Sequence, residues 1–408
     1  MSHAHVFAER PLRIYWETTR SCDLACRHCR ATAVPDADPN ELTPAEGLRL
    51  LEQLAGFGAP LPHLVLTGGD ALKRADLFEL IAAAQGHGFQ VSVAPSATPL
   101  LTADALRRLK TAGVDAISLS LDGSTAERHD FIRGIPGTYE RTLVAARTAR
   151  EVGLPFQVNT LVCAETIDDL PVIHQQVRDM GAARWSLFFL VTVGRGSVLQ
   201  PISPERAEAL LEWLSTMAGP PRPGQMIITT TEAPHYRRVV AERRRAAHGT
   251  NEAAHAGGHP GAAHPGAMPP GAAHSATANV GAGGGHASGG APSGHGAGIR
   301  DGNGILFISH TGEICPSGFL EIPTGNVRTH DVVDVYRTDP LFQALRRPDE
   351  FKGRCGPCEY RWVCGGSRAR AWSASQDPLG EDPLCEHETH PVAFLRAHPS
   401  AEPAGAGR

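Results

Sequence analysis

The feature that most constrains this chain is a run of three cysteines near its beginning. The run contains Cys22, Cys26 and Cys29 within eight residues, shortly after a strand-like apolar stretch over residues 12–16. Three thiolates form an incomplete ligand set, because a zinc ion closed by protein usually takes four ligands. A four-iron four-sulfur cluster held by three cysteines keeps one iron open for a small molecule. The spacing therefore predicts a metal centre with an open position, with a zinc knuckle as the alternative.

Composition narrows the class of protein. A chain of 408 residues is long enough for one large domain and a smaller one. Its 38 Lys and Arg residues against 43 Asp and Glu residues give a formal charge of -5, so we expect neither nucleic acid nor a membrane as a partner. The first residues contain no apolar run that resembles a signal peptide, and the sequence contains no apolar run of about 18 residues. These features predict a cytoplasmic protein.

Most of the nine cysteines fall into two groups, at 22–29 and at 355–385. Clustering and an odd count favour reduced metal ligands over disulfides. The second group consists of Cys355, Cys358, Cys364 and Cys385. These four thiols are a complete set for a second cluster, and a structural zinc ion is the alternative. Cys163 stands alone in an apolar run and is expected to be a buried thiol.

From residue 12 to about 217, short apolar runs alternate with amphipathic segments of 10 to 15 residues. This alternation is typical of βα units, in which the loops that carry function lie at the carboxyl ends of parallel strands. Helix starts are marked by Thr43-Pro44, Thr102 and Ser203-Pro204. The predicted strands are 12–18, 63–67, 90–94, 116–121, 156–162 and 184–191. Six units predict an α/β fold, a partial (β/α)6 TIM-like barrel.

Polar residues follow several of the predicted strands. Gly68-Gly69-Asp70 follows the second strand, and two glycines let the backbone approach a ligand while a carboxylate accepts from an ammonium group. A plain βα turn is the alternative there. Other strand-end candidates are Ser120, Asp122, Asn159 and Arg195. Asn159 is either a ligand contact or a satisfied strand-end residue, and Arg195 either binds a carboxylate or forms a loop salt bridge.

The remaining chain divides by composition. Residues 246–300 are rich in Gly, Ala, Pro and His, and they cannot bury enough apolar surface to offset the entropy of ordering. Residues 304–318 read as a hairpin with a Thr-Gly turn. We predict an N-terminal extension over 1–11, a core domain over 12–217, a connecting segment over 218–245, a disordered insertion over 246–300, a small cysteine-rich domain over 301–392 and a disordered tail over 393–408.

The connecting segment contains an arginine-rich stretch that includes Arg237 and Arg238. These arginines could receive an anionic substrate, and a solvated helix face is the alternative.

The spacing CxxxCxxC, with His28 before the last cysteine, resembles the signature of the radical S-adenosylmethionine (SAM) superfamily. The resemblance implies a [4Fe-4S] cluster on the first three cysteines, whose open iron binds the amino and carboxylate groups of SAM. It also implies one-electron cleavage of SAM to a 5′-deoxyadenosyl radical, which takes a hydrogen atom from the substrate. Gly68-Gly69-Asp70 resembles the Gly-Gly-Glu segment that contacts the amino group of SAM, with Asp70 in place of Glu. Further SAM contacts implied by the resemblance are Ser120, Asp122 and Asn159.

The second cysteine group resembles the SPASM auxiliary-cluster extension of the same superfamily, and this implies a SPASM/twitch-like domain. A full extension holds two auxiliary clusters, and two of the cysteines that this needs are absent here, where the chain has His330 and Arg368. We therefore expect one auxiliary [4Fe-4S] cluster on the four cysteines and a free or weakly bound Cys315.

The segments Cys364-Gly-Gly-Ser-Arg-Ala-Arg-Ala and Glu381-Asp-Pro-Leu-Cys385 resemble the radical SAM enzymes of haem d1 and alternative haem biosynthesis. That resemblance implies a tetrapyrrole substrate, modified at propionate side chains, and an electron donor such as flavodoxin or ferredoxin. Two alternatives remain open: maturation of a ribosomally made short peptide, and a non-catalytic iron-sulfur binding protein.

Overall fold

The computed structural model describes residues 7–218, 224–256 and 298–388 of the chain. Its strands are β1 (Arg13–Thr19), β2 (His63–Gly68), β3 (Val91–Val93), β4 (Ala116–Ser120), β5 (Phe156–Val162), β6 (Arg184–Phe189), β7 (Ile227–Thr231), β8 (Ile305–Ile308), β9 (Glu313–Cys315) and β10 (Gly325–Asn326). Its α-helices are α1 (Pro44–Ala55), α2 (Leu77–Gly86), α3 (Ala103–Thr111), α4 (Ala126–Arg133), α5 (Thr138–Glu151), α6 (Leu170–Asp179), α7 (Pro204–Thr216), α8 (His235–Ala256), α9 (Val332–Thr338), α10 (Pro340–Leu345) and α11 (Arg368–Ser375).

The described strands form one sheet in the order β10-β9-β8-β1-β2-β3-β4-β5-β6-β7. Neighbours from β8 to β7 pair in parallel, while β9 and β10 are antiparallel. Parallel neighbours need a crossover between them, and helices supply it from β1 through β7. The carboxyl ends of the parallel strands therefore meet at one edge of the sheet.

The core lies between the strands and their crossover helices. Ile14 and Trp16 on β1 are fully buried and pair in register with Leu64 and Leu66 on β2. They share one apolar cluster with the inward-facing leucines of α1 and α2. The residue that follows Trp16, Glu17, is also buried, so the end of β1 carries a charge into the interior.

Local signals in the sequence position the helices. Thr43 caps α1 and forms a reciprocal capping box with Glu46. Thr102 caps α3 and Ser203 caps α7 through bonds from backbone N–H groups to their hydroxyl oxygens. The predicted helix starts are confirmed at these three positions.

The predicted α/β fold class is confirmed, and each of the six predicted strands is present. The sheet is wider than six βα units predict, because β7 extends one edge and β8 pairs in parallel with β1 at the other. The predicted hairpin at 304–318 is formed by β8 and β9. Its pairing with β1 joins residues almost 300 positions apart, so one sheet crosses the boundary that was predicted at residue 301.

Several predicted segments lie wholly or partly outside the described residues. Within the predicted insertion 246–300, α8 continues to Ala256 and the chain is described again from residue 298. Its residues 257–297 and the predicted tail 393–408 are not among the described residues. Within the described ranges, no helix combines the length and the apolar character that crossing a membrane requires.

Candidate active site

A cavity of about 240 Å³ opens at the carboxyl ends of the parallel strands. Most of the residues singled out in the sequence line it: Cys22, Cys26, Cys29, Gly68, Gly69, Ser120, Asp122 and Asn159. The cysteines come from the loop after β1, and the others come from the ends of β2 and β4 and from the middle of β5. The topology thus gathers into one cavity residues that are up to 137 positions apart in sequence.

Arg195 holds the cysteine loop in place. Its backbone N–H donates to the carbonyl of Cys29 at 2.9 Å, and its Nε donates to the carbonyl of Cys26 at 2.9 Å. Its Nη1 donates to the carbonyl of Ala33 at 2.9 Å. These bonds go to backbone carbonyls, so a loop salt bridge does not describe them, and binding of a carboxylate by Arg195 stays a prediction. The remaining nitrogen, Nη2, is buried and has no hydrogen-bond partner among the described residues, and Arg195 lines the cavity.

Two glycines allow neighbouring segments to approach this loop closely. Gly194 has φ 53° and Gly134 has φ 73°, both in the left-handed region. A Cβ at Gly194 would lie 2.2 Å from the carbonyl oxygen of Arg30, and one at Gly134 would lie 2.4 Å from that of Ala25. Both positions therefore require glycine for conformation and for space.

Arg133, at the end of α4, is a site residue that the sequence analysis missed. It forms an ion pair with Asp122 at 2.5 Å, and its Nη1 lies 3.8 Å from the sulfur of Cys26. Burial by itself would raise the pKa of Asp122, but the adjacent guanidinium holds that pKa below its usual value. The sequence offered one signal for Arg133, which is its position directly before Gly134 at the end of a helix. Only the tertiary structure shows that its side chain lines the cavity.

The two glycines at the end of β2, Gly68 and Gly69, allow the close approach that the sequence suggested. A Cβ at Gly68 would lie 2.4 Å from the carbonyl oxygen of Thr19, and one at Gly69 would lie 2.4 Å from that of Ser21. The end of β2 thus packs directly against the backbone that leads into the cysteine loop.

Asp70 differs from the other residues predicted to contact SAM because it does not line the cavity. It is fully buried, and its carboxylate accepts from the Thr98 hydroxyl at 2.7 Å and from the backbone N–H groups of Ser96 and Leu72. Burial raises its pKa. Its carboxylate is occupied within the wall of the cavity, so contact between Asp70 and SAM stays a prediction.

Ser120 and Asn159 are register partners on β4 and β5. The side-chain oxygen of Asn159 accepts from Gln157 at 2.9 Å, which orients its amide group. Ser120 and Asn159 both line the cavity, as does Asp122. Polar groups from two neighbouring strands are therefore available to one ligand.

The second cysteine group surrounds a separate small cavity of about 20 Å³. Its lining includes Cys355, Cys358, Cys364 and Cys385, together with His235, Asp382 and His387. Cys315 does not line this cavity and is buried on β9. Cys163 is fully buried in an apolar cluster, which confirms its prediction as a buried thiol.

The arginines of α8 lie beside this second cavity, not in the first. Arg238 lines the second cavity and pairs with Glu208 and with Glu242 at 2.9 Å. Arg237 donates to the backbone carbonyl of Ile299. Arg238 is only 3% exposed, so a solvated face does not describe it.

The spacing of the sulfurs differs from that of a tetrahedral zinc site. Zinc places its thiolate ligands about 3.8 Å apart, given a Zn–S bond of about 2.3 Å. A candidate site for one metal ion is a group of three His, Cys, Asp or Glu side chains whose ligand atoms all lie within 4.8 Å of one another. Among the described residues, the one such group is Cys358, Glu359 and His387, and it contains a single thiol. In neither cysteine group, therefore, do three sulfurs lie as close together as the ligands of one zinc ion.

Backbone N–H groups also point at the sulfurs of both groups. Leu24 donates to Cys22 and Ala33 donates to Cys29, each at 3.4 Å. In the second group the corresponding donors are Tyr360 to Cys358 at 3.4 Å and Gly366 to Cys364 at 3.5 Å. Such donors stabilise thiolates more than thiols, as a bound iron-sulfur cluster requires.

Comparison with known proteins agrees with this geometry. Residues 16–177 match the radical SAM superfamily. The chain is also 34% identical over 377 residues to a protein named AdoMet-dependent heme synthase from Nitratidesulfovibrio vulgaris, a match that covers 92% of each chain. The chain belongs to the radical SAM superfamily.

Other similarities extend over most of the chain. A pre-heme d1 synthase from Dinoroseobacter shibae is 27% identical over 383 residues, with 91% of this chain and 85% of the relative covered. The crystal structure of Streptococcus suis SuiB bound to precursor peptide SuiA has the same fold, with a TM-score of 0.61, 15% identity and coverage of 93% and 76%.

As a radical SAM enzyme, the protein uses a [4Fe-4S] cluster and SAM. The first cavity fits this pair, because its three sulfurs are not all within the 4.8 Å expected around one zinc ion and its walls supply glycine backbone and polar side chains. The second group fits a cluster by the same criteria of sulfur spacing and N–H donors.

Proposed function

We propose that the protein is a haem-pathway enzyme that modifies a tetrapyrrole, of the iron-coproporphyrin class, at its propionate side chains. The observation that carries this proposal is the 34% identity to an AdoMet-dependent heme synthase over 92% of both chains. Similarity over nearly the whole length includes the carboxyl-terminal cysteine region, which the superfamily match over residues 16–177 does not reach.

Residue roles follow from the first cavity. We assign the cluster to Cys22, Cys26 and Cys29, and the SAM contacts to Gly68, Gly69, Ser120, Asp122 and Asn159. When bound, the cluster and SAM supply a 5′-deoxyadenosyl radical. Arg133 keeps Asp122 ionised, so that this carboxylate is available as a hydrogen-bond acceptor, and Arg195 positions the cysteine loop.

The cavity also offers groups suited to a flat acidic substrate. Phe188 on β6 and Phe319 from the segment after β9 line it, with ring centroids 6.4 Å apart. Aromatic rings favour offset or edge contacts with another flat aromatic system. Arg195 lines the same cavity, and its Nη2, which has no partner among the described residues, carries N–H groups that can bind a carboxylate. A tetrapyrrole that stacks on the phenylalanines could present its propionates to this cation.

The second cysteine group is assigned to an auxiliary [4Fe-4S] cluster in the domain over residues 301–392. Loss of a carboxyl group as carbon dioxide from a substrate radical leaves one electron to be accepted, and this cluster is the proposed acceptor. Electrons for SAM cleavage would come from a small redox protein such as a flavodoxin or a ferredoxin.

The test is anaerobic turnover of the reconstituted enzyme with SAM, a reductant and iron-coproporphyrin. We expect 5′-deoxyadenosine and a product lighter by at least one carbon dioxide, detected by mass spectrometry. The matched control is the Cys22→Ala/Cys26→Ala/Cys29→Ala variant, which should yield neither. SAM cleavage that is indifferent to iron-coproporphyrin, with no change in its mass, would contradict the proposal.

Maturation of a short peptide remains the second candidate because the same fold is seen with a precursor peptide bound. At 15% identity, the similarity to SuiB is evidence for the fold alone. Stimulation of SAM cleavage by a small peptide encoded beside this gene, and not by iron-coproporphyrin, would favour the peptide.

A further inference from the structure

Arg368, the first residue of α11, is a buried cation beside the second cysteine group. Its side chain has no solvent exposure, and its Nη2 lies 3.5 Å from the sulfur of Cys355. Its other nitrogens donate to backbone carbonyls: Nη1 to Gly380 at 2.7 Å and Nε to Gly366 at 3.3 Å. The ring of Phe351 covers the guanidinium, with its centroid 4.4 Å from Cζ. The guanidinium of Arg368 is therefore held in one position and shielded from water.

No carboxylate pairs with this guanidinium in the ion pairs of the described residues. Asp301 accepts from the backbone N–H of Arg368, and Asp382 pairs with Arg370 at 2.9 Å. The nearby charges include another buried cation, Arg300, whose pKa is lowered to about 9 by burial first and by Arg368 next. The neighbourhood of Cys355 thus holds carboxylates as well as cations, but each of these carboxylates is bonded to a group other than the Arg368 guanidinium: Asp301 to backbone N–H groups, Asp382 to Arg370, and Asp377 to Lys352.

A buried guanidinium without an anion is strongly unfavourable, and arginine does not release its proton in proteins. A neutral thiol at Cys355 would leave the guanidinium without a bonded anion among the described residues, since Asp377 acts on it only through space. A cluster on four thiolates carries a net negative charge and would compensate it. Gly366 has φ 66°, and a Cβ there would lie 2.5 Å from Nη2 of Arg368 and 3.2 Å from the Cys355 sulfur. Glycine at position 366 therefore leaves space for the Arg368 guanidinium to contact the Cys355 sulfur.

We infer that Arg368 is the counter-ion of the second cluster and sets its reduction potential, an inference that rests on the proposed assignment of that cluster. Reduction adds one electron to the cluster, and a fixed positive charge with an N–H donor at the sulfur stabilises the reduced form more than the oxidised form. Arg368 therefore raises the potential, which favours acceptance of the electron that a decarboxylating substrate radical releases.

The test measures the potential of the second cluster alone. The Cys22→Ala/Cys26→Ala/Cys29→Ala background removes the first cluster, and iron and sulfide per chain are counted before a redox titration followed by electron paramagnetic resonance. Arg368→Gln keeps a donor without the charge, and Arg368→Lys keeps a charge without the planar fork. The matched control is Arg354→Gln, which removes a cation from the lining of the same cavity where the side chain is 44% exposed and paired with Glu381.

We expect the Arg368→Gln variant to keep its iron and to have a clearly more negative midpoint potential. The Arg368→Lys variant should have a midpoint potential close to that of the protein with Arg368. The Arg354→Gln variant should change the potential much less, because water and Glu381 screen the charge of exposed Arg354. Equal potentials in the Gln and Lys variants, or an Arg354→Gln shift as large as that of Arg368→Gln, would overturn the inference. Absence of iron in the background variant itself would overturn the cluster assignment as well, and the iron count separates the two failures.

Discussion

At the scale of single residues, the active site depends on side chains that bind backbone as much as on those that would touch a ligand. Arg195 satisfies two carbonyls of the cysteine loop with its guanidinium and a third with its own N–H. Each buried carbonyl left without a donor costs about 1–3 kcal/mol. Arg195 is therefore a positioning residue for the three cysteines.

Replacing Arg195 by alanine is expected to loosen the cysteine loop and lower the occupancy of the first cluster. We expect the iron content to fall toward that of the Cys22→Ala/Cys26→Ala/Cys29→Ala variant and 5′-deoxyadenosine formation to drop at least tenfold. Arg206→Ala is the control, because that side chain is 45% exposed and its ion pair is with exposed Asp168. Full iron content and normal SAM cleavage in Arg195→Ala would refute the positioning role.

At the scale of elements, the connections between strand and helix shape the site. The Gly134 turn that ends α4 packs on Ala25 within the cysteine loop, and α4 itself presents Arg133 to Asp122. The turn after α5 has the same backbone conformation at Gly153, with φ 66°, but a Cβ there would meet nothing within 4 Å. These two turns differ in what lies against them.

This difference predicts different effects for the same substitution. Gly134→Ala and Gly153→Ala both place alanine at positive φ, which costs about 1–2 kcal/mol. Only Gly134→Ala also drives a methyl group into the carbonyl of Ala25, so we expect it to lose first-cluster iron and SAM cleavage. Iron analysis and thermal unfolding of the two variants test this, and equal iron content in both would count against it.

At the scale of the whole molecule, buried charges join the barrel to the carboxyl-terminal region. Glu17 on β1 bonds His310 of the β8–β9 turn at 2.7 Å and Arg30 at 2.8 Å. Burial raises the pKa of Glu17, but Arg30 and then His310 outweigh it and hold the pKa below its usual value of 4.5. Burial lowers the pKa of His310, but Glu17 outweighs it and raises the pKa above 6.5.

Stability from this contact should depend on pH in a defined sense. The stability that His310 contributes is complete below about pH 6.5 and is lost as the pH rises through its raised pKa in the folded protein. The stability that Glu17 contributes is lost only as the pH falls below 4.5 and through the lowered pKa of Glu17 in the folded protein. We expect His310→Gln to lower the unfolding temperature of the holoenzyme more at about pH 6 than at about pH 9. A difference that does not change with pH would show that His310 acts through packing alone.

Much of the fold was predictable because its signals are local. Alternating apolar runs and capping residues such as Thr43 placed six strands and several helix starts within a few residues. The pairing of β8 with β1 was not predictable in this way, because four residues carry no local mark of a partner almost 300 positions away. β7 was missed because each of its residues is only partly buried, which leaves a weak apolar pattern.

For this protein the sequence by itself determined the chemistry that is available: cysteine spacing, glycines after β2 and the composition of the linking segments. Tertiary structure decided which groups meet. It turned Arg133 and Arg195 toward the cysteine loop, withdrew Asp70 into the wall of the cavity, and placed Arg368 against Cys355. The physical reason is that ligand spacing within a loop is local, whereas burial and charge compensation depend on chain segments that only folding brings together.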